Sequence, residues 1–261
     1  MQTPQPILTA SLFAPLNEEL VRVLRGLSDD EWLAPTAAGA WTVKDIAAHL
    51  LDTAIRRLSL HRDRHFRPGP FDPNEANREW VAAAQRLSPR VLTELIETCG
   101  GQQAAFFESL DPFAPALWGV TWAGEEHSAN WFDIARELTE RWHHQQQIRD
   151  ATGRGLLRGV YLAPVLDTFA RALPYTYRNV DAPQPTAVVL RIDDQAWTLV
   201  RESHWTLYAG EAPAATTRIT MNGDVAWRLF TKGLKRDPVQ ATIEGDATYA
   251  EPVLAMVTVI G

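Results

Sequence analysis

A glutamate and a histidine four residues apart are the strongest candidates for metal chemistry in this sequence. Glu140 and His144 fall on one predicted helix, where this spacing places the side chains one turn apart, about 6 Å along the axis. A carboxylate and an imidazole so placed can bind the same divalent ion. Glu137 lies two turns from His144, about 10.5 Å along the helix, and is not expected to share that ion. His143 points nearly opposite the apolar stripe of this helix, so His144 is the predicted ligand.

A third ligand must come from another helix, and His49 is the candidate. The helical wheel places His49 outside the apolar sector centred on Leu50 and Ala54, which favours a solvated surface histidine. Spacing alone leaves both interpretations open. Two histidines and one glutamate would leave a fourth coordination position free, which is typical of a catalytic rather than a structural metal site.

The elements that must position these residues are helices, because apolar residues recur at helical spacing through the first 150 residues or so. Ser28 with Glu31 forms a capping box, and Thr42 is expected to cap the helix that carries His49. The sequence predicts a helix ending near Gly26 and others over Thr42 to Arg64, Pro89 to Leu110, Asn130 to Ala151 and Val160 to Tyr177. A short helix is expected to begin at Asn74 or Asn77.

The residue pattern changes in a linker with two prolines, and a break is predicted between residues 178 and 186. Beyond it, a hairpin of Thr186 to Ile192 and Ala196 to Arg201 is expected. Further strands are predicted at Trp205 to Tyr208, Thr216 to Met221 and Val239 to Ile243, with helices after Asn222 or Asp224 and after Asp246. We therefore predict an α+β protein with a helical bundle at residues 1–180 and a small α+β domain at 181–261. The helix Val160 to Tyr177 is expected to contact both.

Composition excludes several classes of protein. The chain has 261 residues, of which 46% are hydrophobic and 22% charged, a balance that is typical of a folded globular protein. Its net charge of −7 argues against a nucleic-acid partner. The sequence has neither a run of about 20 apolar residues nor a signal-peptide pattern, so we expect no membrane partner and a cytoplasmic location. The single cysteine, Cys99, lies on an apolar stripe and is expected to be an inert core residue.

Two stretches resemble signatures of the mycothiol-dependent maleylpyruvate isomerase family, in the DinB-like four-helix superfamily. They are LSDDEWLAPT followed by WTVKDIAAHLL, and ELTERWHHQQQIRDATG. The resemblance implies a DinB-like four-helix bundle and a divalent metal bound by His49, Glu140 and His144. The ion is expected to be zinc, with nickel, manganese or iron as alternatives, and a low-molecular-weight thiol is the expected cosubstrate. The C-terminal NGD and IEGD stretches resemble the family's smaller domain.

This chain differs from the family pattern after the second histidine, where relatives usually carry Gly, Trp and Asp and this sequence has Gln145 to Gln147. Without a carboxylate at Gln147, His144 is expected to lack the usual partner that orients its ring. The ring nitrogen of His49 that faces away from the ion is expected to donate to a carbonyl or carboxylate.

Two further groups of side chains are candidates for substrate contacts. Five arginines lie at the end of the second long helix and in the loop beyond it: Arg56, Arg57, Arg62, Arg64 and Arg67. They are interpreted either as a receptor for a carboxylated substrate or thiol, or, as we favour, as a solvated surface partly paired with Asp63. Trp118 and Trp122 are candidates for a pocket mouth, whereas Trp131 and Trp142 are expected in the core.

Three functions are compatible with these residues. The first is a metal-dependent cis-trans isomerase of the maleylpyruvate isomerase type, in which a metal-held thiolate adds to an activated double bond, the bond rotates and the thiol leaves. If the adduct is retained, the protein is a thiol S-transferase. The third is a non-enzymatic binding protein whose α+β part holds an apolar ligand. The expected partners are a small-molecule electrophile and a thiol, the expected assembly is a monomer or homodimer, and catalytic residues beyond the metal ligands are not assigned.

Overall fold

The computed structural model describes residues 1–66, 72–231 and 240–258, and it confirms the α+β fold class. Helices occupy the N-terminal part, and a five-stranded sheet occupies the C-terminal part. The helices are α1 (Phe13–Arg25), α2 (Asp29–Trp32), α3 (Val43–Arg56), α4 (Pro73–Ala84), α5 (Pro89–Glu108), α6 (Asn130–Ala151), α7 (Gly159–Ala170), α8 (Leu173–Thr176), α9 (Gly223–Phe230) and α10 (Glu251–Ala255). The strands are β1 (Thr186–Ile192), β2 (Gln195–Arg201), β3 (Trp205–Ala209), β4 (Thr217–Met221) and β5 (Thr242–Gly245). Among the helices so described, none is long and apolar enough to cross a membrane.

The four long helices α1, α3, α5 and α6 pack as a bundle. The predicted capping box of Ser28 with Glu31 is present, and Thr42 caps α3 as expected, as part of a second capping box with Asp45. The predicted α-helix to Arg64 is wrong at its end, because α3 stops at Arg56 and the chain continues as a π-helical segment over Arg57–Arg62. π-helical segments within helices often mark functional sites.

Two other predicted helix boundaries are wrong for identifiable reasons. Helix α4 begins at Pro73 rather than at Asn74 or Asn77, because the Asp72 carboxylate caps it and proline suits the first helical position. The predicted helix from Val160 to Tyr177 is two helices, α7 and α8. Pro174 has no backbone N–H with which to continue the hydrogen-bond ladder of α7, so the helix stops before it.

The sheet has the strand order β3-β2-β1-β4-β5. The predicted hairpin is confirmed as antiparallel β1 and β2, whereas β1 and β4 run parallel. Strand β5 lies at Thr242–Gly245 rather than at Val239 to Ile243, and Val239 lies outside the described residues. No helix or strand is present between Thr176 and Thr186, where the break is predicted. The division of the chain into two domains stays a prediction.

One apolar core extends through both parts of the molecule. It includes Phe13 of α1, Trp142 of α6, Tyr177 after α8 and Trp227 of α9, and the two tryptophan rings pack edge to face at 5.6 Å. Helix α7 packs against both α6 and α9. This confirms the prediction that the segment from Val160 to Tyr177 contacts both the helical part and the α+β part. The C-terminal part therefore completes the packing of the helix that carries Glu140 and His144.

Two adjacent glycines of α5 provide a matched test of this packing. A Cβ on Gly100 would lie 2.1 Å from Asn17 Oδ1, whereas a Cβ on Gly101 would meet nothing within 4 Å. We expect Gly100→Ala to lower the free energy of unfolding by about 1 to 3 kcal/mol, because buried Asn17 must move. Gly101→Ala should raise it by up to about 1 kcal/mol through helix propensity. Urea denaturation of both variants checks this, and equal effects would contradict the close contact between α1 and α5.

Candidate metal centre

The three predicted ligands come together where α3 passes α6. His49 comes from α3, and Glu140 and His144 come from α6. One ligand atom from each residue lies within 4.8 Å of the other two. Glu140 Oε1 is 3.4 Å from His49 Nε2 and 3.1 Å from His144 Nε2. The two imidazoles thus face the same carboxylate oxygen.

His49 points into the bundle, so the surface interpretation from the helical wheel is wrong. Its exposed fraction is 4%, because α3 packs against α4, α5 and α6 and is buried on almost every side from Ile46 to Ala54. Half-buried Trp41, just before the helix, places its ring 5.1 Å from that of His49 and 6.3 Å from that of His144. The indole therefore shields one side of the centre from water.

His143 and Glu137 do not join the three ligand atoms, although both are buried. The wheel led us to expect His143 to point away from the interior, but it is fully buried and its Nδ1 donates to the Thr139 carbonyl at 3.1 Å. Burial lowers the pKa of His143 to about 3, so the ring is neutral. Of the two adjacent histidines, only His144 faces Glu140.

The two ligand histidines are held differently from what the sequence led us to expect. His144 has a partner after all, because Gln147 Oε1 lies 2.8 Å from His144 Nδ1 and accepts its hydrogen as a carboxylate would. His49 is the opposite case. Its Nδ1 is buried without a hydrogen-bond partner among the described residues, so the expected donation to a carbonyl or carboxylate is wrong.

The protonation of these groups suits a cation between them. Burial lowers the pKa of His49, which favours its neutral, metal-binding form. Burial opposes ionisation of Glu140, but the neighbouring imidazole of His144 and its hydrogen bonds hold the pKa of Glu140 well below the ordinary value. Because His144 gives its Nδ1 hydrogen to Gln147, its neutral form points a lone pair at Glu140. Two such acceptors approach favourably only with a proton or a metal ion between them.

Two of the three separations between donor atoms are also close to those of a metal site, and all three atoms lie within 4.8 Å of one another. Nitrogen and oxygen ligands about 2.0 to 2.2 Å from a tetrahedral zinc ion stand about 3.3 Å apart. The two observed separations from Glu140 Oε1, 3.4 and 3.1 Å, match that value. Glu140 is also the most accessible of the three side chains at 16% exposure, against 6% for His49 and 1% for His144. A small molecule would thus approach the centre from the Glu140 side.

A buried ionic cluster next to this centre was missed by the sequence analysis. Arg57, interpreted there as part of a solvated surface, has an exposed fraction of only 2%. It donates to Asp133 at 2.6 and 2.9 Å and to Glu137 at 3.0 and 3.1 Å, and Arg136 bonds the same two carboxylates. Burial opposes ionisation of Asp133 and Glu137, but the positive charge of Arg57 has the larger effect, so the pKa values of both carboxyl groups are lowered. All four groups are therefore charged and mutually neutralised.

Of the other arginines, Arg62 and Arg64 fit the surface interpretation and Arg56 does not. Arg62 lies at the surface paired with Asp63, as the surface interpretation expects, and Arg64 is exposed. Arg56 is largely buried beside Asp52, with an Nε–Oδ2 distance of 2.9 Å, and binds Asn77. Arg67 lies outside the described residues.

Of the two tryptophans predicted near a pocket, Trp118 lies at the ionic cluster. Trp118 is 39% exposed and covers the Arg57 guanidinium at 4.7 Å and the His61 ring at 4.4 Å. Trp122 packs beside Phe132. Trp142 is fully buried as expected, but Trp131 is only half-buried. Cys99 is also half-buried, and its burial raises the pKa of the thiol, as for an inert cysteine.

A signal for the cluster was present in the spacing of polar residues on α6. Asp133, Glu137, Glu140, His144 and Gln147 follow one another at intervals of four, three, four and three. This is the spacing of one helix face, and on an otherwise well-packed helix it indicates a polar stripe that faces a partner. Asp133 and Glu137 belong to the ionic cluster, Glu140 and His144 are the candidate ligands, and Gln147 orients His144.

Comparisons with known proteins relate this chain to one family and one fold. The family model described as mycothiol maleylpyruvate isomerase N-terminal domain matches residues 13–149. A crystal structure of a mycothiol-dependent maleylpyruvate isomerase has a TM-score of 0.55 to this chain at 17% identity, and a histidine-to-alanine mutant of such an isomerase has 0.59 at the same identity. Each alignment covers 94% of this chain and 96% of the other, so the fold is shared along nearly the whole length. Among curated proteins, no sequence matches this chain.

His61 beside Arg57 should make stability depend on pH. Burial and the Arg57 charge lower the pKa of His61 to about 4, although Asp133 and Glu137 act in the opposite direction. The unfolded chain, with a histidine pKa near 6.5, therefore binds the proton more readily than the folded protein does. The stabilising contribution is complete above about pH 6.5 and is lost as the pH falls towards 4.

We expect wild type to lose about 1 kcal/mol more unfolding free energy between pH 7.5 and pH 5 than His61→Gln, a value reduced from the full linkage because the site lies near the surface. Urea denaturation of both proteins at the two pH values measures the difference. Replacement of exposed His204 by Gln is the control, and this variant should show the same pH dependence of the unfolding free energy as wild type. An equal pH dependence of His61→Gln and wild type would refute a neutral buried His61.

Proposed function

The chain belongs to the mycothiol maleylpyruvate isomerase family, and from this premise we propose that it is a metal-dependent enzyme that uses a low-molecular-weight thiol to isomerise an electrophilic small molecule. The observation that carries the proposal is the convergence of His49, Glu140 and His144 on one point between α3 and α6. Two imidazoles and one carboxylate are a typical zinc donor set with an open fourth position. Nickel, manganese and iron are alternatives with similar ligand preferences.

Each residue of the centre has a distinct role in this proposal. Glu140 supplies the negative charge, and its partial exposure leaves the open position accessible. Gln147 fixes the His144 ring so that Nε2 faces the ion. Trp41 excludes water from one side. A divalent ion bound by these residues would supply the positive charge that keeps a thiol sulfur ionised near neutral pH.

The proposed reaction is addition of the thiol sulfur to an activated cis double bond, rotation about the resulting single bond and loss of the thiol. A protein that retained the adduct would instead be an S-transferase. Incubation of the purified protein with a panel of thiols and electrophiles, with and without chelator, separates the two. Cis-trans conversion without thiol consumption supports the isomerase, and stoichiometric loss of thiol supports the transferase.

The second candidate from another class is a binding protein without catalytic activity. A groove of about 490 Å³ lies between the N-terminal segment, α7 and β2, and is lined largely by apolar residues such as Pro4, Ile7, Pro164 and Trp197. This groove is where the α+β part would hold an apolar ligand. A protein that binds no metal and turns over no electrophile would favour this function over the enzyme.

Metal content tests the ligand set directly. We expect wild type to bind about one divalent ion per chain, and His144→Ala to lose it, because His144 Nε2 faces Glu140. His143→Ala is the matched control, since that ring is equally buried but faces the Thr139 carbonyl. Elemental analysis after dialysis measures both. Loss of the ion from His143→Ala alone would show that the wrong histidine is assigned.

The role of Gln147 gives a separate prediction. Gln147→Leu removes the acceptor for His144 Nδ1 and should weaken metal binding by about 10- to 100-fold, the usual effect of losing such a partner. Gln147→Glu, which restores an acceptor, should bind at least as tightly as wild type. Titration against a chelator of known affinity gives the dissociation constants. If Gln147→Leu binds as tightly as wild type, the hydrogen bond does not orient the ligand.

A further inference from the structure

The Arg57 cluster, consisting of Arg57, Arg136, Asp133 and Glu137, joins the same two helices as the candidate ligands do. Arg57 belongs to the π-helical end of α3, and both carboxylates belong to α6. The Arg57 and Glu137 side chains are 2% and 4% exposed. Replacing a buried ionic network with apolar residues often leaves stability unchanged or raises it, so stability alone does not explain why a chain would carry one. Its rigid, bidentate geometry is the property that an apolar contact lacks.

The position of the cluster relates it to the candidate metal centre. Glu137 precedes Glu140 by three residues, about 4.5 Å along α6, and Arg57 follows His49 by eight residues, about 12 Å along α3. The Arg57–Glu137 bonds therefore fix how α3 and α6 are placed and rotated relative to each other, about one turn from Glu140 and a little over two turns from His49. The His49–Glu140 separation depends on that placement, since each helix supplies one of the two residues.

A second arginine links the helices in the reverse direction. Arg141 of α6, adjacent to Glu140, is 3% exposed and donates to the Leu50 carbonyl at 3.1 Å, next to His49. It also lies 3.4 Å from Thr53 Oγ1. The ligand pair thus has two arginine contacts beside it, one from Arg57 to α6 and one from Arg141 to α3.

We propose that Arg57 is a positioning residue for the His49–Glu140–His144 centre, acting through its bonds to Asp133 and Glu137. Arg57 holds the two helices at the separation where both imidazoles reach Glu140 Oε1. It also neutralises the Glu137 carboxylate, one turn from Glu140, so that the charge of Glu137 is compensated within the cluster. The inference rests on the metal site of the proposed function.

Cobalt(II) titration of the metal-free full chain tests the proposal, because the visible absorption of bound cobalt reports ligand number and geometry. Arg57→Lys keeps the charge but loses the fork that bonds both carboxylates. We expect it to raise the cobalt dissociation constant by about tenfold and to change the absorption spectrum. Glu137→Gln, which keeps the side-chain shape, should also weaken cobalt binding. This variant provides the test if Arg57→Lys does not fold.

A partly buried arginine pair is the control, and it approaches α6 at Trp131, nine residues before Glu140. Arg171 bonds Asp167 at 3.0 Å, its side chain is 12% exposed, and it lies outside α3 and α6. Arg171→Lys should shift the melting temperature but leave the cobalt affinity and spectrum as in wild type. If folded Arg57→Lys and Glu137→Gln do the same, the cluster is only structural and the proposal is wrong. If wild type itself binds no cobalt or zinc, the proposed function fails and this inference fails with it.

Discussion

The structure depends on a polar contact between two helices in the centre of a bundle. Helices in a protein core usually meet through apolar side chains, but α6 presents a stripe of carboxylates, a histidine and a glutamine to α3. A buried charge without a partner costs several kcal/mol, so the placement of the two helices is restricted to arrangements in which each charge meets its counterpart. The surrounding apolar residues of α1, α5 and α7 keep water out of this contact.

The stripe divides into two halves with different electrostatic balance. In the first half, two arginines and two carboxylates neutralise one another, so the group has no net charge. In the second half, one carboxylate faces two imidazole nitrogens, and a proton or a cation between these atoms makes the contact favourable. A closed ionic network therefore lies directly beside a group of side chains that could hold a cation. This difference in balance, rather than burial or spacing alone, distinguishes the candidate metal centre from its neighbour.

The sequence was sufficient for the helical bundle, the hairpin and the association of Glu140 with His144, because those features depend on local spacing and capping. It was insufficient where the surroundings of a helix matter. The wheel misplaced His49 and His143, since a wheel assumes one buried face and α3 and α6 are buried on nearly all sides. The sequence analysis likewise treated Arg57 as a surface residue, because the carboxylates that neutralise it lie about 80 positions away in the sequence. The role of Gln147 was missed because an amide oxygen was not weighed as a substitute for a carboxylate.

The apolar core shared by Trp142 and Trp227 has a consequence for how the chain matures during synthesis. Helix α6 is complete when residue 151 has been made, yet the indole that packs against Trp142 follows some 80 residues later. At roughly 5 to 20 residues per second, the ribosome takes several seconds to supply it. During that interval α6 carries its ligand residues on a helix with one apolar side uncovered. Final assembly of the bundle thus awaits the C-terminal residues, and the nascent chain must avoid aggregation until they arrive.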